Sequence, residues 1–187
     1  MGTPADGAVV YTVGHSTRSL SELVEVLEGA RARELIDVRS VPRSRRHQHF
    51  DRAALARTLP ARGIAYHHEP ALGGFRRARR DSPSRGWDHA AFQGYADHMA
   101  SEEFRSALGR LRARARERVA CIMCAEAPWW RCHRRMIADA LVVEGWQVLH
   151  LGLGPEPRAH ELTPFAVVGD DGALTYPPRQ SELGLGV

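Results

Sequence analysis

Long apolar runs are missing from this chain. No stretch approaches the roughly 18 to 20 residues that a membrane helix needs, and the opening Met1-Gly2-Thr3-Pro4-Ala5-Asp6 lacks the basic and apolar regions of a signal peptide. A cytoplasmic protein with no membrane partner is expected. Cysteine is scarce as well. Three residues cannot form a fully paired disulfide framework, and Cys124 and Cys132 fall in one short segment, so reduced, functional or buried thiols are expected. Lysine is absent altogether, all 26 basic residues being arginine, which GC-rich coding accounts for. What remains is the composition of a globule with a real core: 187 residues, 43% hydrophobic and 26% charged. That excludes collagen, disorder and coiled coil and suits one α/β domain.

The placement of the arginines is more informative than their number. Between Arg39 and Arg85 there are 12 arginines against Asp51, Glu69 and Asp81, a local net charge of +9, while the rest of the chain is net acidic. A guanidinium stays charged and grips phosphate or carboxylate through a planar fork, so an anionic small molecule or a nucleic acid is the expected partner.

Hydrophobic periodicity alternates between strand and helix. Val9–Val13 is a continuous β-prone run stopped by Gly14; Ser19 and Glu22 form a capping box before the stripe Leu20, Leu23, Val24, Leu27, which Gly29 ends. Leu35–Val38 is a second strand, followed by a polar loop from Arg39 to Phe50, a helix capped by Asp51, and a short strand over 64–67. Residues 69–87 turn rich in Gly, Pro, Ser and Arg and are expected to be a loop or lid. Helices are expected over 88–99, 101–116 and 131–144, strands over 119–124 and 147–151. Residues 152–187 read as an extension carrying a hairpin with a Gly169–Gly172 turn, and residues 1–8 as a flexible N-terminus. The expectation is a single three-layer, Rossmann-like α/β domain: a mostly parallel sheet, helices on both faces, and a C-terminal β-hairpin.

In such a sheet the ligand lies beyond the carboxyl ends of the strands. Gly14, His15 and Ser16 follow the first strand, Asp37 and Arg39 end the second, and Cys124, Glu126, Arg131, Cys132, His133 and Arg134 follow a later one. All should face one crevice. A helix start near Cys132, with Arg131 and Arg134, suits an anion and would lower a thiol pKa. Glu126 is a candidate acid or base if partly buried beside Trp129 or Trp130, with Asp37 and His15 orienting substrate. His47, His49, His67 and His68 add metal-ligand types, but no paired short-spaced Cys or His motif is present, so no metal is expected. No motif fixes a cofactor or an oligomeric state.

The segments Thr12–Ser19, Leu35–Ser44, Leu72-Gly73-Gly74, Cys124-Ala125-Glu126 and Cys132-His133-Arg134 together closely resemble the family catalogued as domain of unknown function 488. The resemblance implies a compact α/β domain with a cleft at these motifs. By it the positions to watch gain Pro42, Arg43, Gly73 and Gly74. Leu35–Arg39 also looks like the strand of rhodanese-type sulfurtransferases. Three functions follow as expectations. The first is an enzyme hydrolysing or transferring a group on a nucleotide or nucleic-acid component, with Arg39, Arg43, Arg131 and Arg134 holding the anion. The second is a cysteine-dependent, sulfurtransferase- or phosphatase-like enzyme. The third is a noncatalytic nucleic-acid-binding module using the basic region, Arg76, Arg77, Arg79 and Arg80 included.

Overall fold

The computed structural model describes residues 8–178. Most of the N-terminal segment read as flexible (1–7) and the last residues of the C-terminal extension (179–187) lie outside them. Five parallel strands, β1 (Val9–Gly14), β2 (Glu34–Asp37), β3 (Ala65–His68), β4 (Ala120–Cys124) and β5 (Gln147–His150), form the sheet in the order β3-β2-β4-β1-β5. A sixth, β6 (Arg158–Ala159), adds antiparallel to β5. Only two residues long, it had no periodic signal in the sequence.

Strand order explains the layers. The chain first moves toward β3 through α1 (Leu20–Gly29) and α2 (Arg52–Thr58), then returns through α3 (Ala90–Met99), α4 (Glu102–Glu117) and α5 (Arg134–Val143). Right-handed crossovers running in opposite directions put helices on opposite faces. Two separate cores result. Leu23, Val24, Leu27 and Leu55 pack with Val13, Leu35, Cys121 and Met123 on one face; Tyr95, Phe104, Leu108, Met136 and Ile137 pack with Ile36, Ile122 and Cys124 on the other. Side chains alternate along β4, so Cys121 and Cys124 point to opposite faces. That parity turns Cys124 toward α5.

The capping box at Ser19 and Glu22 is present, and the hairpin forms from β7 (Val167–Val168) and β8 (Leu174–Thr175), with Gly172 at positive φ. Helix α5 starts three residues later than expected. A 3-10 turn over Trp129–Arg131 and an extended Cys132 precede it, so His133, not Arg131, leads into the helix.

The C-terminal extension is locked on by a buried polar chain. Arg134 Nη1 donates to Thr12 Oγ1 (3.1 Å), which donates to His150 Nδ1 (2.7 Å); His150 Nε2 meets His160 Nδ1 (3.0 Å), and His160 Nε2 meets Asp139 Oδ1 (2.8 Å). One donor direction, from guanidinium to carboxylate, satisfies every link with both imidazoles neutral. Asp139 also accepts from the Thr163 backbone, its hydroxyl and the Tyr176 hydroxyl. Trp129 stacks on His150 at 4.2 Å, so this chain also supports the loop that follows β4.

Candidate functional site

Strands β1, β2 and β4 end at one rim because they are neighbours in the sheet, and β1 and β4 stay joined beyond their ends. The His15 amide donates to Cys124 O and the Ser16 amide to Ala125 O, both at 2.9 Å. A Cβ at Gly14 would overlap the Glu126 carbonyl, so glycine is required where these segments touch. Ser16, with φ of 50°, turns the chain away in a conformation that disfavours side chains. The β1 loop therefore spends its amides on the β4 loop. Gly14 and Ser16, expected to bind an anion, shape the wall instead, although Ser16 still lines the cleft.

Above this rim lies a cleft of about 700 Å³. Arg39, Arg43, Arg131, His15 and His47 bring positive or polar character, Cys124, Cys132 and His133 line it, and Phe75 and Val41 add exposed apolar surface, 85% and 63% accessible. A smaller cavity of about 330 Å³ lies away from these strand ends, beside Arg52, Tyr66 and Arg114.

Asp37 and Arg39 hold the second strand end in place. Arg39 donates to both Asp37 carboxylate oxygens, at 2.9 and 2.6 Å, to Phe50 O at 2.6 Å and to His15 Nε2 at 3.2 Å; Tyr66 donates to Asp37 at 2.7 Å. Fully buried and engaged on both oxygens, Asp37 positions Arg39 and does not reach the cleft, which corrects its expected role of orienting substrate. His15 is set by the same network. Its Nδ1 donates to Ser16 O (2.9 Å) while Nε2 accepts from Arg39, and burial, helped by the Arg39 charge, lowers its pKa to about 4. It faces the cleft as a neutral ring of fixed tautomer.

Glu126 is exposed at the mouth and is not buried against the tryptophans, so the desolvation expected to tune its carboxyl is missing. Arg131 is exposed and lines the cleft. Arg134 is the plain correction among the expected anion binders: it is 1% accessible and donates to Thr12 and to the carbonyls of Glu126 and Ala127, stapling the β4 loop from beneath.

At the floor, Cys124, Cys132 and His133 converge. His133 Nδ1 lies 3.6 Å from Cys132 Sγ and 4.0 Å from Cys124 Sγ, and Nε2 lies 3.1 Å from Val38 O, which can only accept. Cys124 is pushed well above the ordinary thiol range by its hydrogen bond to Cys132 and by burial. Burial also works against a Cys132 thiolate, but the bond from Cys124, His133 and Arg134 outweigh it and hold Cys132 well below that range. The two sulfurs thus share one proton between them.

Gly73 and Gly74 bring the 69–87 segment against this floor. A Cβ at Gly73 would run into Ser40, and one at Gly74 would come within 2.5 Å of His133 Nδ1. The arginine run is tied down: Arg76 bonds three carbonyls of residues 70–73, and Arg79 pairs with Asp81 at 2.7 Å while its amide bonds Asp97. Arg77 and Arg80 are exposed. The segment packs on α3 at Gly94, as a wall with its edge at Phe75.

Fold and site together define a doubly wound α/β domain with a cationic, thiol-floored cleft at the carboxyl edge of its sheet. Residues 19–141 match the family described as Domain of unknown function DUF488, and the chain belongs to that family. No curated protein and no solved structure matches the chain. Among the described residues, no helix is long and apolar enough to cross a membrane.

Sequence reasoning missed Phe75, Val41 and His47 as cleft residues, and His150, His160 and Asp139 beneath it. Phe75 had one available signal, an aromatic side chain directly after a Gly-Gly pair within a polar loop.

Proposed function

We propose that the cleft binds a nucleotide or a related phosphate-bearing compound and that the protein is an enzyme acting on it by hydrolysis or group transfer. The observation that carries this reading is the pairing of an exposed aromatic, Phe75, with Arg39, Arg43 and Arg131 around one 700 Å³ cleft. An aromatic face stacks a flat base, while guanidinium groups hold a phosphate. The volume suits one nucleotide. Of the three arginines, Arg39 is already spent on Asp37, which leaves Arg43 and Arg131 as the freer anion contacts. Glu126, at the mouth, is the group placed to take or give a proton.

Calorimetric titration with adenosine monophosphate tests binding. Arg131→Ala should weaken it about 10- to 100-fold, the loss of a charge-assisted hydrogen bond, and Phe75→Ala by a similar factor from lost stacking, both without loss of stability. Binding unaffected by both changes would overturn the reading. Glu126→Gln should abolish turnover of a cleaved substrate and spare binding; full activity removes Glu126 from the mechanism.

Thiol chemistry is the second reading, favoured by the position of Cys124 and Cys132 at the cleft floor beside His133. Iodoacetamide labelling at neutral pH separates it, since equal labelling of all three cysteines argues against an activated thiol. The nucleic-acid-binding module finds less support, because Arg76 and Arg79 are engaged within their own segment.

A further inference from the structure

The geometry points to Cys124, Cys132 and His133 as the three protein ligands of a zinc ion at the cleft floor, with a fourth coordination position open to the cleft. The inference goes beyond the nucleotide reading and does not depend on it.

Proximity is the first argument. The three donor atoms all lie within 4.8 Å of one another, and the two sulfurs stand 3.6 and 4.0 Å from Nδ1. Tetrahedral zinc with bonds of about 2.3 Å to sulfur and about 2.0 Å to nitrogen separates S and N donors by about 3.5 Å. The pocket needs to contract by only a few tenths of an ångström. Sequence spacing hid this because the donors are seven residues apart on one side and adjacent on the other. Adjacent residues converge here because Cys132 is extended, with φ and ψ of −132° and 149°, while His133 is helical, at −58° and −17°.

Orientation is the second. Val38 O, offered to Nε2 at 3.1 Å, places the hydrogen there and turns the Nδ1 lone pair toward the sulfurs. A histidine that binds metal through one nitrogen commonly donates its other N–H to such a carbonyl. The ring is held from both sides, by Tyr95 at 5.1 Å between centroids and by the bare backbone of Gly74. Any side chain at position 74 would push the imidazole out of place, which gives the Gly-Gly pair a reason beyond chain turning.

Chemistry is the third. Two thiolates and an imidazole are a borderline-soft set that selects zinc over magnesium or calcium. Three protein ligands with an open fourth position describe catalytic, not structural, zinc. All three residues line the cleft, so the open position faces the space between Arg39, Arg43 and Arg131. Zinc there would supply a Lewis acid for a phosphoryl oxygen or a bound hydroxide near neutral pH.

The test uses the full chain, stripped with a chelator under reducing conditions and titrated with cobalt(II) and, separately, zinc. One equivalent should bind, with the thiolate-to-cobalt charge-transfer band and intense visible bands of a tetrahedral site. Cys132→Ser should weaken binding by about 100-fold or more and reduce that charge transfer, whereas Cys121→Ala, on the opposite face of β4, should leave both unchanged. Gly74→Ala keeps every donor and should still cost about 10-fold through the displaced ring. Should Cys132→Ser fail to fold, zinc protection of Cys124 and Cys132 from alkylation in the wild-type protein gives the same answer. Absence of a stoichiometric cobalt complex, a spectrum unchanged in Cys132→Ser, or alkylation of both cleft thiols at saturating zinc would overturn the assignment. Nucleotide binding that persists in metal-free protein would leave the proposed function standing while the zinc site falls, and the reverse result separates them the other way.

Discussion

His150 makes folding stability depend on pH in a way that can be worked out from its surroundings. The ring is 1% accessible, and burial, with the charges of His160, Arg134 and Arg158, lowers its pKa from 6.5 to about 3. The unfolded chain therefore binds a proton at this residue between pH 6.5 and about 3 that the folded chain refuses, so stability is full above pH 6.5 and falls as pH drops. The slope approaches about 1.4 kcal/mol per pH unit, and the loss from pH 7 to pH 5 comes to about 2 kcal/mol from this one group. Urea unfolding at pH 7, 6 and 5 measures it, with His150→Gln as the comparison. The variant is less stable at every pH, having lost its bonds to Thr12 and His160, but its decline from pH 7 to pH 5 should be shallower than that of the wild type by about 2 kcal/mol. Equal slopes in the two proteins would refute the account of a neutral, desolvated imidazole, as would a His150 titration midpoint near 6.5 by NMR.

Other perturbations follow from the same contacts. Asp139→Ala leaves His160, Thr163 and Tyr176 donors without their acceptor and should cost about 3–5 kcal/mol, seen as a fall of roughly 10 °C in the melting temperature. Gly14→Ala drives a Cβ into the Glu126 carbonyl; since backbone meets backbone, about 3 kcal/mol of destabilisation is expected by denaturant titration, and a neutral result would mean the β1 and β4 loops part easily. Replacing Arg77 and Arg80 together by Gln should leave both stability and nucleotide affinity within twofold of the wild type, because both are exposed on the far side of the Phe75 edge; a large loss of affinity would shift the binding surface onto the arginine run.

How much of this was legible in the sequence follows from what each feature depends on. Strands β1, β2 and β4 and helices α1 and α4 carry strong local periodicity, and once they alternate, chain geometry dictates a parallel sheet with its site at the carboxyl ends. The convergence of His15, Arg39 and Cys124 on one cleft was readable on that ground. What local pattern cannot carry is direction. Arg131 and Arg134 stand in the same short segment with the same charge, yet one opens to the cleft and the other is sealed beneath it, because a 3-10 turn and an extended residue intervene before α5. Asp37 reads as a reactive carboxylate until its four donors are counted. His150, His160 and Asp139 are separated in sequence and meet only through packing of β5, α5 and the extension, so nothing short-range marked them as a network.

The central claim is that the cleft over β1, β2 and β4 is where a nucleotide binds. Amide chemical-shift mapping with adenosine monophosphate addresses it directly. The account predicts saturable shifts confined to residues 15–17, 39–44, 74–75 and 125–133. Shifts that cluster instead around Arg52, Tyr66 and Arg114, or no saturable shifts at millimolar nucleotide, would contradict it.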